Sequence, residues 1–155
     1  MAITFRNSAL GGTTTATAFT ATLSTTAAND ILILEYVHRS TTAGSVFGTY
    51  DGPAFSTKVD QLFATSTFSG HTLYSRATGN HNGQTISVSS LVNSCAGIIT
   101  VYTGAITAGD PLADATVVGE QNAAGNESNG QITTTTDGAW PVLVVVNSPD
   151  LAVTS

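Results

Sequence analysis

The sequence predicts an all-β protein, one domain built as a two-sheet antiparallel sandwich of about nine strands, and three observations carry that expectation. Apolar residues recur with a period of two in most segments, no window sustains helical spacing over three turns, and Gly, Asn, Asp and Ser clusters separate the periodic stretches. Composition agrees. Only 9% of the 155 residues are charged, against about 25% in average globular proteins, so the polar surface must come from Thr, Ser, Asn and Gly. Threonine alone occurs 27 times; its methyl packs while its hydroxyl faces water, which suits a half-exposed pleated surface.

The elements follow in order. Ile3 to Arg6 opens the chain as a short strand, and NSALGGTTT after it reads as a turn, leaving residues 1–12 as an N-terminal arm. In Thr15 to Leu23 one face carries Phe19, Ala21 and Leu23 while Ala18, Thr20 and Thr22 take the other. Ile31 to His38, Lys58 to Ala64 and Thr72 to Arg76 come next, then Gln84 to Ser89, in which Ile86 and Val88 point inward. Ile98 to Thr103, Gln131 to Thr135 and Val142 to Val146 complete the set, and the long connection from Gly104 to Gly130 suits a jelly-roll or Greek-key crossing. Pro111 to Ala115 is a single helical turn at most.

Three strands, ILILEYV, IITVY and VLVVV, are apolar on both faces, yet a two-layer sandwich buries only one face of each sheet. The second face needs a cover, either a loop such as Asn122 to Gly130 folded back or a neighbouring subunit.

Ten acids against four scattered bases give a net charge of -6. Phosphate binding needs a clustered basic surface, so nucleic acid is not an expected partner. The amino terminus has no signal-peptide pattern, which points to folding in a cytoplasm, and no apolar run approaches the roughly 20 residues that span a bilayer.

Candidate chemistry is sparse. Asp110 and Asp114 lie four apart and are weak candidates for a cation site, but a calcium loop needs six to eight oxygens; Asp110 before Pro111 reads better as the cap of a short turn. His38, His71 and His81 fit no short zinc spacing, and His81 sits in a turn-rich stretch where an exposed position is expected. Cys95 opens an apolar run and reads as a buried structural thiol. No GxSxG elbow and no phosphate-cradling loop is present, and the sequon Asn126-Glu127-Ser128 reads as accidental. Glu35 and Asp60 are the carboxyls that a glycosidase reading would use, although Glu35 is better placed facing outward at a subunit seam or sheet edge. If buried, it should have a raised pKa. Tyr36, Tyr50, Tyr74, Tyr102 and Trp140 offer either a sugar platform or packing, and packing is the commoner use of such strand positions. Neither a catalytic residue nor a cofactor is expected.

Several segments in succession, NDILILEYV, FGTYDGPAFSTKV, HTLYSRATGNHNGQTISVS, IITVYTGAITAGDPLADAT and QITTTTDGAWPVLVVV, resemble jelly-roll-like β-sandwich domains of tailed-phage virion proteins and bacterial surface proteins. The resemblance spans about Asn29 to Val146, and the compact acidic whole is similar to small capsid decoration, or cement, proteins. It implies a virion protein assembled in the host cytoplasm, a homo-oligomer, by analogy a trimer, attached to the major capsid protein lattice on the outer head. Ile3, Phe5, Arg6, Glu35, Tyr36 and Trp140 are the partner-contacting residues this reading selects. The alternatives are a tail or fibre-tip module that binds surface glycans through Tyr74 or Trp140 and, third, a glycan-acting enzyme.

Overall fold

A computed structural model describes residues 2–13, 18–24, 26–39, 45–48, 50–62, 69–89, 95–105, 107–112, 145–147 and 152–154. The strands are β1 Thr4–Thr13, β2 Phe19–Thr22, β3 Ile31–His38, β4 Ser45–Gly48, β5 Ser56–Leu62, β6 Ser69–Arg76, β7 Thr85–Ser89, β8 Cys95–Thr103, β9 Val145–Asn147 and β10 Ala152–Thr154. The described residues contain no helix. The chain is all-β, as its periodicity predicts.

Five strands form one antiparallel sheet in the order β1-β8-β3-β6-β5, three form a second in the order β2-β7-β4, and β9 and β10 pair as a small two-stranded sheet. First strand pairs with eighth, second with seventh and third with sixth, the pattern of an antiparallel ribbon rolled into two layers. β5 departs from the roll by adding to the edge of the larger sheet beside β6. The crossings between these two sheets lie before Gly104, and most of the connection from Gly104 to Gly130 lies outside the described residues.

The core sits between the two larger sheets. Leu32, Leu34 and Tyr36 from β3, Leu73 from β6 and Ile99 and Val101 from β8 meet Ala21 from β2 and Ile86 and Val88 from β7. Ile86 and Val88 point inward as the alternation of β7 requires. Burying a side chain of this size contributes roughly 1.5–3 kcal/mol each. Cys95 is buried in the same cluster, in the setting expected of a structural thiol.

Two local expectations fail for physical reasons. NSALGGTTT is not a turn through Gly11 and Gly12: β1 runs on to Thr13 because Gly11 and Gly12 lie opposite Gly97 and Ala96, where the ladder with β8 outweighs the glycines' local preference. The stretch expected as a free arm is therefore, from Thr4 onward, an edge strand of the sheet. β4 and β10 escape sequence reading because short polar-flanked segments become strands only through their partners, β7 and β9. Gln131 to Thr135 and Asn122 to Gly130 lie outside the described residues.

β8 leaves the sheet at Gly104, whose φ of 79° favours glycine and whose missing Cβ would collide with the Ala2 carbonyl. Both constraints act on one residue. Gly104→Ala is expected to lower stability in urea denaturation by about 1–3 kcal/mol, with an unchanged m-value.

Candidate functional site

The register sorts side chains of the larger sheet onto two faces. Phe5, Tyr102, Ile31 and Arg76 form one cross-strand row on the outer face, and Leu10, Ile98, Glu35 and Thr72 form another. Phe5 and Leu10, both on edge strand β1, remain 50% and 70% exposed, and they are the exposed large hydrophobic residues of the described chain. Phe5 rests edge-on against Tyr102, with ring centroids 6.0 Å apart. Beyond a bulge at Arg6, the stretch from Asn7 to Thr13 carries no charge and, among the described residues, pairs with β8 alone.

The outer face has a cover at its Ile31 end. Ile3, Pro111 and Leu112 enclose a small cavity over Ile31, Ile33 and Tyr102. Two bonds fasten the covering segment: Lys58 Nζ pairs with Asp110 Oδ2 at 2.6 Å, and Arg76 Nη2 donates to the Gly109 carbonyl at 3.2 Å. Asp110 Oδ1 accepts the Leu112 amide at 2.8 Å, so this carboxylate caps the turn at Pro111 as expected. Partial burial raises the Asp110 carboxyl, but the bonds from Lys58 and Leu112 outweigh it and hold it below its ordinary value. Asp114 and Trp140 lie outside the described residues. Among those described, no three His, Cys, Asp or Glu side chains form a group that could hold a metal ion.

Glu35 is neither at an edge nor exposed. It lies on β3, the central strand, with 3% of its surface accessible, and its Oε2 has no hydrogen-bond partner. Burial pushes its carboxyl from 4.5 up to about 7. Asp60 sits two strands away on β5 and points to the opposite face, since Glu35 aligns with Thr72 and Asp60 with His71. The two carboxyls cannot flank one sugar bond.

On the inner face the register assembles a chain of polar groups that sequence spacing conceals. His71 Nδ1 donates to Asp60 Oδ1 at 3.1 Å, and the Nε2 atoms of His71 and His38 meet at 3.0 Å. Tyr36 stacks on the His71 ring at 4.6 Å. A carboxylate only accepts, so neutral His71 presents a bare Nε2, to which His38 Nε2–H donates. His38 Nδ1 is then left buried without a hydrogen-bond partner. Tyr36 belongs to this core at 2% exposure and is not a partner-contacting residue. Two convergent nitrogens are too few for a structural metal centre.

A second pair lies where the loop after β6 meets residues 50–53. His81 Nδ1 bonds Asp51 Oδ1 at 2.6 Å, Tyr50 packs edge-on against the His81 ring, and the His81 amide donates to Thr26 Oγ1. His81 is 4% exposed, contrary to the expectation of an exposed turn residue. Its partners come from 30 and 55 residues away, so local composition cannot reveal its burial.

Arg6 is committed within the fold. Its guanidinium meets the buried Asp30 carboxylate, with Nε 2.7 Å from Oδ2 and Nη2 donating to Oδ1 at 3.2 Å. Asp30 Oδ2 also accepts the Ala27 amide at 2.8 Å. Of the residues selected for partner contact, Phe5 is exposed, Ile3 covers the sheet, and Arg6, Glu35 and Tyr36 are engaged or buried inside the chain. Leu10 is exposed beside charge-free residues of the N-terminal segment, a signal the sequence carries. No family model, curated protein or solved structure matches the chain.

The raised Glu35 pKa fixes the sign of a pH effect. The folded chain holds this proton more tightly than the unfolded one, so the associated stability is full below pH 4.5 and is lost as pH rises through about 7. Glu35→Gln is expected to raise stability at pH 8 by on the order of 3 kcal/mol and to change it little at pH 4.5. Paired urea titrations at the two pH values measure the difference.

Proposed function

We propose that this chain is a virion structural protein, a capsid decoration protein that docks on the outer surface of a tailed-phage head. The observation that carries this reading is the β1 edge: Phe5 and Leu10 are exposed on one face of a strand that is free of charge from Asn7 to Thr13. A strand that borders the sheet among the described residues can add a further strand from a partner, and the two hydrophobic side chains bury apolar area beside it. The resemblance of successive segments to virion sandwich domains supports the same reading. Attachment stabilises the shell because the protein binds assembled lattice and not its dispersed subunits. Copies held side by side by that lattice form the expected homo-oligomer. No catalytic step is part of this reading.

Phe5 and Leu10 contact partner while contributing little to the core, which separates docking from folding. The double variant Phe5→Ser, Leu10→Lys is expected to keep the thermal midpoint within about 2 °C, since exposed substitutions change stability little, and to reduce occupancy on purified heads at least about tenfold, the loss expected of apolar contacts at an interface. Unchanged occupancy in a sedimentation assay would remove the β1 edge from the docking surface.

A further inference from the structure

One chain of ionisable groups in the larger sheet takes no part in docking. Asp60 on β5, His71 on β6 and His38 on β3 lie in line across the inner face, and they become less accessible along that line: Asp60 side chain 59% exposed, His71 side chain 1%, His38 wholly buried. We propose that the His38 and His71 pair is an acid-operated latch: neutral, it holds the Val37–His38 end of the β3/β6 ladder closed, and protonated, it opens that end of the sandwich.

The geometry supplies the reason. With Nε2 atoms 3.0 Å apart, only one proton can lie between the rings. A first added proton is best tolerated on His71, where the Asp60 carboxylate and the face of Tyr36 both favour a positive ring. A second, on His38, sets two N–H groups head to head with no acceptor between them. Among the described residues only Asp60, beyond His71 and itself exposed, favours that charge, and burial outweighs it. Cys95 lies opposite it on β8 and Ser69 on β6, Tyr36 is its neighbour on the same face of β3, Arg39, next in sequence, is a cation, and Lys58 on β5 is paired with Asp110. The facing layer, FTAT in β2, TISVS in β7 and SVFG in β4, contains no ionisable side chain. Relief therefore requires water to reach the rings, which requires the strands to part.

The far end of the same ladder is built differently. Ile31 and Arg76 pair beside the Arg6–Asp30 ion pair, and Ala77 donates its amide to the Asp30 carbonyl at 2.8 Å. That end has its charges matched and should stay closed while the other opens. Burial, with His71 adding to it, lowers the His38 pKa from 6.5 to about 4. The sign is that of a depressed group: stability is full above pH 6.5 and is lost as pH falls through about 4.

Amide protection factors at pH 7 and pH 5, measured by hydrogen exchange on the full chain, test the latch. Protection at Val37, His38, Gly70 and His71 is expected to fall on the order of twentyfold between the two pH values, as linkage to a group shifted by this much requires. Protection at Ile31, Leu32, Ser75 and Arg76 should change less than about threefold on the same linkage argument. In His38→Gln the polarised loss should disappear; its persistence in that variant, or equal loss at both ends of the wild-type ladder, overturns the proposal. Should His38→Gln fail to fold, the wild-type histidine Cε1–H resonances decide: a His38 midpoint below about 5 supports the latch and one at or above its ordinary 6.5 overturns it.

Discussion

β3 is buried along all eight of its residues, and the rest of the structure is organised around that constraint. A strand without solvent on either face must be paired on both edges, which β8 and β6 do, and must be covered on both sides. The inner cover is the three-stranded sheet. The outer one begins with Ile3 and the segment that carries Pro111 and Leu112. Polar residues on such a strand have no water to fall back on, so Glu35 on one face and His38 on the other are each placed where ionisation is costly. Their penalties act in opposite directions of pH. Glu35 weakens the fold as pH rises from 4.5 through about 7 and His38 as it falls from 6.5 through about 4, so across the shared window the gain from one offsets most of the loss from the other.

The few charges of this chain are used as fasteners between segments remote in sequence. Arg6 ties the start of β1 to Asp30 at the entrance of β3, and Lys58 and Arg76 tie β5 and β6 to residues 109 and 110. Each bond spans more than 20 residues of chain. The Arg6 pair differs from the others in meeting a buried carboxylate, so removing either partner would strand a charge in the interior and cost more than an exposed pair is worth.

Much of this architecture was legible in the sequence because strand alternation is a local signal. The apolar run Ile31 to His38 coincides with β3 at both ends, and the inward direction of Ile86 and Val88 follows from the polar residues between them. The turn role of Asp110 was legible because Asp-Pro after Gly has few other uses. The buried histidines were not legible. His38 and His71 are 33 residues apart, and only the β3/β6 register makes them neighbours. His81 looked exposed because its immediate neighbours are turn formers, while the groups that bury it are distant. Glu35 was recognised as anomalous within an apolar strand, but its environment depended on whether β3 was central or at an edge, a property of the whole sheet.

The two borders of the larger sheet are unequal. β5 carries Lys58 at a bulge and Asp60 beyond it, features that repel a further strand, whereas β1 is smooth and neutral past Arg6. A sheet with one receptive border and one guarded border can accept a single neighbour but cannot pass the pairing on. Chain growth by edge-to-edge stacking therefore terminates after one step, and a threonine-rich β protein whose edge strand carries no charge over residues 7–13 is kept from seeding fibrils.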